Sequence, residues 1–237
     1  MKIVSWICLR NRETRKKRSR IKVKNKIKAI IFDLGNVLIG FDHRIGVKRI
    51  LKHTSKSTQE IYDLFFDSVF TREFEKGKIS RREFFAKVRD MLELQIGYEE
   101  FLPIWNEIFF AKPEMERFVA SLNCGRKLVL LSNVNQLHYE YLTNAFSSAF
   151  SLFSPDKIIP SFRTGFMKPD RQIYELALSA SGVSRDEAVY VDDRLDLIEA
   201  ASGYGIRSIQ FKDINQLKQE FLDLGIIPDA DVPCHKK

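Results

Sequence analysis

Hydrophobic residues follow two rhythms along this chain. Mostly apolar runs occur at Ala29 to Phe32, Lys127 to Leu131 and Ala188 to Val191, and Ile206 to Phe211 reads as another strand. A run that is apolar on both faces suits a strand buried inside a parallel sheet. Lys157 to Pro160 reads as a further short strand. Between these runs the apolar spacing is helical: Glu114 to Leu122 after Pro113, Gln136 to Phe146, Pro169 to Ser181, Leu195 to Ser202 and Ile214 to Leu222. Strands alternating with helices imply βαβ units and an α/β class with a parallel sheet.

The texture differs from Phe41 to about Phe110, where candidate helices follow one another with no convincing strand. Ser57 to Glu60 and Ser80 to Glu83 have the form of capping boxes, each ahead of an apolar stripe. A third helix is expected over Tyr98 to Phe110, with Phe101, Ile104, Trp105 and Ile108 on one face. These stripes read as the core of a small helical module inserted after the first strand. The division predicted is residues 27–42 and 111–237 for the α/β core and 43–110 for the insert.

Three of the strands end in polar groups: Asp33, Ser132-Asn133 and Asp192-Asp193. Lys168 stands just before the expected helix at Pro169. An unpaired buried carboxylate is costly, so Asp33 belongs at the strand's carboxyl end. In a parallel sheet all such ends share one edge, where open α/β sheets bind ligands. Gly35 and Asn36 tolerate unusual backbone angles and permit a sharp turn there. Three carboxylates, a hydroxyl and an ammonium suit a phosphate ester with a hard divalent cation. Mg²⁺ takes oxygen ligands, so Asp33, Asp193 and the Gly35 carbonyl are candidate ligands, with Asp192 beside them. A carboxylate such as Asp33 can also attack phosphorus. Lys168 and Ser132 would serve the phosphoryl oxygens in the transition state. Asn133 and Asn135 read as residues that order the loop after Ser132.

Composition changes the picture in one place. The 237 residues carry a formal charge of +8, but 12 of the 39 Lys and Arg and one of the 31 Asp and Glu lie in residues 1–28. Residues 29–237 hold 27 basic and 30 acidic residues, a net of −3. The basic character is therefore that of a leader, residues 1–26, which reads as disordered. Its sharper reading is an arm for nucleic acid or anionic lipid. Its apolar piece precedes its charges, the reverse of a secretory signal. No apolar run approaches the roughly 20 residues of a membrane helix. Cys8, Cys124 and Cys234 form no CxxC pair, which argues against a zinc site or disulfide framework and for a reducing, cytoplasmic setting. The four histidines, His43, His53, His138 and His235, show no metal-binding spacing. Sequence sets no oligomeric state.

The ordered set FDLGNVL, LLSN, MKPD and VYVDD resembles the four motifs of the haloacid dehalogenase (HAD) superfamily, over residues 27–212. The resemblance implies a Rossmann-like, doubly wound core, a helical cap and a phosphoaspartate mechanism with Mg²⁺ on a small-molecule phosphate ester. It makes Asp33 the nucleophile, Ser132 and Lys168 the second and third motifs, and Asp192 and Asp193 the metal-binding fourth. Gly35 and Asn133 fall among the phosphate-binding positions. FDLGNV, with FEKGKIS in the cap, is most similar to the sugar-phosphate phosphatase branch, such as the bacterial α-glucose-1-phosphate phosphatases. Two positions depart from the pattern. Gly35 stands where relatives carry the aspartate that protonates the leaving alcohol, and Asp42 is a candidate substitute. Leu197 stands where several relatives have Asn or Asp, and Asp196 is the neighbouring carboxylate. Arg72, Lys76 and Lys78 lie near the FEKGK turn and could meet a second anionic group. The alternatives are a metal-free 2-haloacid dehalogenase using the same aspartate, and a catalytically weak binding protein that works through its basic tail.

Overall fold

The computed structural model describes residues 27–228 except 67, 123 and 124. The basic leader, the three cysteines and His235 lie outside the described residues.

The chain enters through β1 (Ala29–Phe32), turns at Gly35 and Asn36, and forms β2 (Ile39–Phe41). Five helices follow: α1 (His43–Ile50), α2 (Thr58–Phe66), α3 (Val69–Glu75), α4 (Arg81–Leu92) and α5 (Tyr98–Asn106). Then come β3 (Phe109–Ala111), α6 (Pro113–Leu122), β4 (Lys127–Ser132), α7 (Gln136–Ala145) and the short α8 (Ser147–Phe150). The chain continues through β5 (Ile158–Pro160), the short α9 (Ser161–Thr164) and α10 (Arg171–Ser181). It closes with β6 (Ala188–Asp192), α11 (Leu195–Gly203), β7 (Arg207–Gln210) and α12 (Ile214–Asp223).

The main sheet has the order β5-β4-β1-β6-β7, and every pairing in it is parallel. From the central β1 the chain first fills one side of the sheet and then crosses to the other. The carboxyl ends of β4, β1 and β6 therefore flank a topological switch point, where such sheets bind ligands. Each central strand is apolar on both faces because helices cover both. Ile30, Phe32, Leu128, Leu130, Val189 and Val191 pack with Phe118 and Phe221 on one side. Ile31, Val129, Leu131 and Tyr190 pack with Ile173, Tyr174 and Ile198 on the other.

The inserted helices bury a separate core around Phe74, Phe84, Phe85, Val88, Phe101 and Trp105, which also takes in Leu137 of α7. The capping box expected at Ser80 is present, and Ser57 and Glu60 also bond each other reciprocally. Three expectations need correction. The 41–110 segment contains strand: Phe41 and Phe109 end a two-stranded antiparallel ribbon in which Ile39 pairs with Ala111. The third helix stops at Asn106, because Phe109 to Ala111 is drawn into that ribbon. The helix expected from Pro169 begins at Arg171, since Asn133 holds the Lys168 backbone on both sides and keeps that residue in a loop. No helix among the described residues is long and apolar enough to cross a membrane.

Candidate active site

Asp33, Lys168, Asp192 and Asp193 come together at the carboxyl edge of the sheet. The last backbone amide of the β1 run, that of Asp33, donates to Val191 O at 2.8 Å, which fixes Asp33 beside β6. Lys168 Nζ donates to Asp33 Oδ1 at 2.6 Å, to Asp192 Oδ2 at 2.7 Å and to Leu131 O at 3.4 Å. All three ionic side chains are buried. The pattern of apolar strands ending in charge has thus produced one buried ion triad.

Asp192 and Asp193 do different things: Asp192 is the last residue of β6, and Asp193 lies in the bend that follows it. Asp192 is almost fully buried and bonds Lys168, the Tyr190 hydroxyl and the Arg194 amide. Burial opposes its charge, but Lys168 and these donors hold its carboxyl below the ordinary range. Asp193 is half-buried, bonds the Asn36 side chain and lines the cleft; burial and the Asp192 charge push its carboxyl up. Burial also pushes Asp33 up, against the pull of Lys168 and with the push of Asp192. Lys168 stays protonated, because the two carboxylates outweigh its burial.

Carboxylate oxygens of Asp33, Asp192 and Asp193 lie within 4.8 Å of one another. Three carboxylates facing one ammonium leave an excess of negative charge, which adds to burial in raising Asp33 and Asp193. An all-oxygen donor set with that excess fits a hard divalent ion such as Mg²⁺. Asp33 and Asp193 are the residues able to hold it, since Asp192 is already engaged by Lys168 and Tyr190. The Gly35 carbonyl accepts from Val37 N at 2.7 Å and retains a second lone pair.

Ser132, at the end of β4, is buried, lines the cleft, and its hydroxyl has no hydrogen-bond partner among the described residues. Asn133 is committed elsewhere. Its amide donates to Lys168 O at 2.9 Å and accepts from Lys168 N at 2.7 Å, so it positions the lysine and has little left for a phosphate. Asn135 caps α7 by accepting from His138 N.

The remaining candidates separate. Asp42 caps α1 and is chelated by Arg44, which holds its carboxyl low, and it does not line the cleft. It cannot serve as the acid missing at Gly35. Asp196 is exposed and paired with Arg194 at 2.6 Å, while Leu197 is buried against the cleft; neither joins the carboxylate cluster. Lys76 faces the cleft but pairs with Asp170 at 3.1 Å, Lys78 pairs with Glu73, and Arg72 lines the cleft.

The cleft, about 740 Å³, lies between the sheet edge and the inserted helices. Sequence reading passed over two of its walls. One is the pair Trp105 and His138, stacked at 4.9 Å, where His138 Nε2 donates to the Trp105 carbonyl and Nδ1 accepts from Asn135. The other is Glu75, at the end of α3, whose only signal was its place in the FEKGK turn.

A model of the haloacid dehalogenase-like hydrolases matches residues 27–205, and the chain belongs to that family. A D-ribitol-5-phosphate phosphatase of Bacteroides thetaiotaomicron is 26% identical over 201 residues, covering 82% of this chain and 96% of that protein. A sesquiterpene phosphatase of Aspergillus oryzae is 25% identical over 197 residues, covering 78% of this chain and 90% of that one. A HAD-family enzyme of Bacteroides thetaiotaomicron, solved in complex with magnesium and inorganic phosphate, matches the fold with a TM-score of 0.70 at 22% identity, over 81% of this chain and 98% of that one.

Proposed function

We propose that the protein is a Mg²⁺-dependent phosphatase of a small phosphorylated metabolite, a sugar or polyol phosphate, working in a reducing, cytoplasmic setting. The observation that carries this reading is the buried contact of Asp33 with Lys168, set beside the carboxylates of Asp192 and Asp193 and an unengaged serine hydroxyl. The similarity to a protein named for D-ribitol 5-phosphate hydrolysis supports the substrate class. Residues 43–110 act as a cap, and 27–42 with 111–237 as the catalytic core.

Each side chain has a part. Lys168 occupies Asp33 Oδ1, which leaves Oδ2 to attack phosphorus as the ester P–O bond breaks. The ammonium and the Ser132 hydroxyl meet charge that builds on the equatorial oxygens. Asp192 keeps Lys168 protonated and aimed, and Asn133 fixes its backbone. Water then attacks the phosphoaspartate, releasing inorganic phosphate and restoring Asp33. When bound between Asp33 and Asp193, Mg²⁺ would neutralise negative charge shared by nucleophile and phosphate. Arg72 and the cleft face of the cap select the alcohol, and closing the cap excludes water during the first transfer.

The test is a panel of phosphate esters with Mg²⁺, run on the native protein and on Asp33→Asn. Hydrolysis by the native protein alone is expected. No hydrolysis of any ester would remove the function, and equal hydrolysis by both would remove the mechanism. Full activity in EDTA would favour metal-free aspartate chemistry of the dehalogenase kind.

A further inference from the structure

Phosphoryl transfer from an alkyl ester leaves an alkoxide that needs a proton, and position 35 has no side chain to give one. The structure also fills the space such a side chain would take. A Cβ on Gly35 would sit 2.8 Å from Phe41 Cε1, and that ring is packed against His43 at 4.7 Å and Phe109 at 6.1 Å. The proton must come from elsewhere in the cleft.

We propose that Glu75, carried on the cap, is the general acid for the departing alcohol and the general base for the water that follows. The inference rests on the phosphatase reading above. As the P–O bond breaks, the Glu75 carboxyl gives its proton to the ester oxygen and becomes a carboxylate. As water attacks the phosphoaspartate and the Asp33–phosphorus bond breaks, Glu75 takes a proton from that water and is ready again.

Placement is the first support. Glu75 lines the same cleft as Asp33 and Ser132 although it belongs to the other half of the molecule. Its backbone is tied to the core: Ser161 Oγ donates to Glu75 O at 2.7 Å, and the next residue, Lys76, pairs with Asp170. Gly77 then passes so close to Phe162 that a Cβ would meet its carbonyl oxygen at 2.0 Å. A backbone held this way keeps Glu75 in the wall of the cleft that faces the sheet edge, as a proton donor needs.

Elimination is the second. Among the described residues lining the cleft, Asp33 and Asp193 belong to the cation, Asp192 to Lys168 and Asp170 to Lys76. His43 and His138 are driven by burial to about 4 and about 3, so neither carries a spare proton near neutrality. The Glu75 carboxyl has no hydrogen bond or ion pair among the described residues. Burial pushes it to about 7, against the pull of Arg194, Lys168 and Arg72, the charged groups that face it from the loops before α11 and α10 and from its own helix. An acid that must also act as base works best with its pKa near the working pH.

Leaving groups distinguish this role from a structural one. 4-Nitrophenolate departs near neutral pH without a proton, whereas a sugar or polyol alkoxide does not. With Mg²⁺ present, Glu75→Gln should lower kcat/KM for the best alkyl phosphate of the panel by about 10²–10⁴-fold. It should change kcat/KM for 4-nitrophenyl phosphate by less than roughly tenfold. The native alkyl-ester profile should fall above about pH 7, and the variant should lack that limb. Glu75→Asp should restore part of the alkyl activity. Retained alkyl activity in Glu75→Gln, or equal losses on both esters, would overturn the assignment while leaving the phosphatase reading intact. A native protein that splits neither ester would overturn both.

Discussion

Lys168 serves two masters at the residue scale, and that arrangement separates Asp192 from Asp193. Asp192 is the anion that makes a buried ammonium tolerable, so Asp192→Asn should cost about 3–5 kcal/mol of stability with or without metal. Asp193 is held in a folded environment that favours its neutral form. Asp193→Asn should therefore leave the metal-free protein about as stable as the native one, yet abolish the rise in melting temperature that Mg²⁺ gives the native protein. Thermal melts of the three proteins, with Mg²⁺ and with EDTA, check both statements. Most of this site was legible in the text, because an apolar run that stops at a charge has few places to put it. Asp33, Ser132 and the aspartate pair stand where strand-end reasoning sends them, and Lys168 reaches them from the loop ahead of α10. The two aspartates could not be told apart, since the direction of each side chain depends on register. Glu75 was harder still: a charge at the end of a short amphipathic helix looks like solvent-facing surface until the partner wall is known.

Among elements, the joints between the two halves were the least legible. The β2–β3 ribbon pairs only three residues on each side, too few to show a period of two against the helical background. Asn133 reads from sequence as a loop-ordering residue, but what it orders was hidden for a related reason. Its partner lies 35 residues away in the Lys168 loop, and nothing local marks it as a clamp. The α3 turn offers an element-scale prediction. Gly77 has φ of +71° and sits against the Phe162 backbone. Gly77→Ala should destabilise the protein by about 1–3 kcal/mol, through both the left-handed backbone and the collision. A lower urea midpoint should come with a larger loss on alkyl than on aryl phosphates, because Glu75 sits two residues upstream.

Across the whole molecule, the two halves meet through a neutral histidine. His138 Nε2 donates to Trp105 O and Nδ1 accepts from Asn135, so a second ring proton would face another donor. Burial is the larger reason that its pKa falls from 6.5 to about 3. The unfolded chain therefore binds this proton more readily than the native one. Its contribution is fully present above about pH 6.5 and is lost as the pH falls toward 3, by up to about 1.4 kcal/mol per pH unit. Glu75 works in the opposite sense, since its carboxyl rises from 4.5 to about 7 on folding and favours the native state at the lower pH. Urea titrations between pH 4 and 7 should show a shallower acid decline for His138→Gln and a steeper one for Glu75→Gln. A native protein whose urea midpoint is unchanged by either substitution across that range would contradict both assignments.

Phe41, which lies over Gly35, also belongs to the ribbon that joins the halves. That placement couples the two positions. An aspartate placed at 35 alone would strike the ring, and a smaller residue at 41 alone would open a hole between His43 and Phe109. Each change is harmful without the other, so a carboxylate can be seated at 35 only by a paired substitution that also trims the ring at 41.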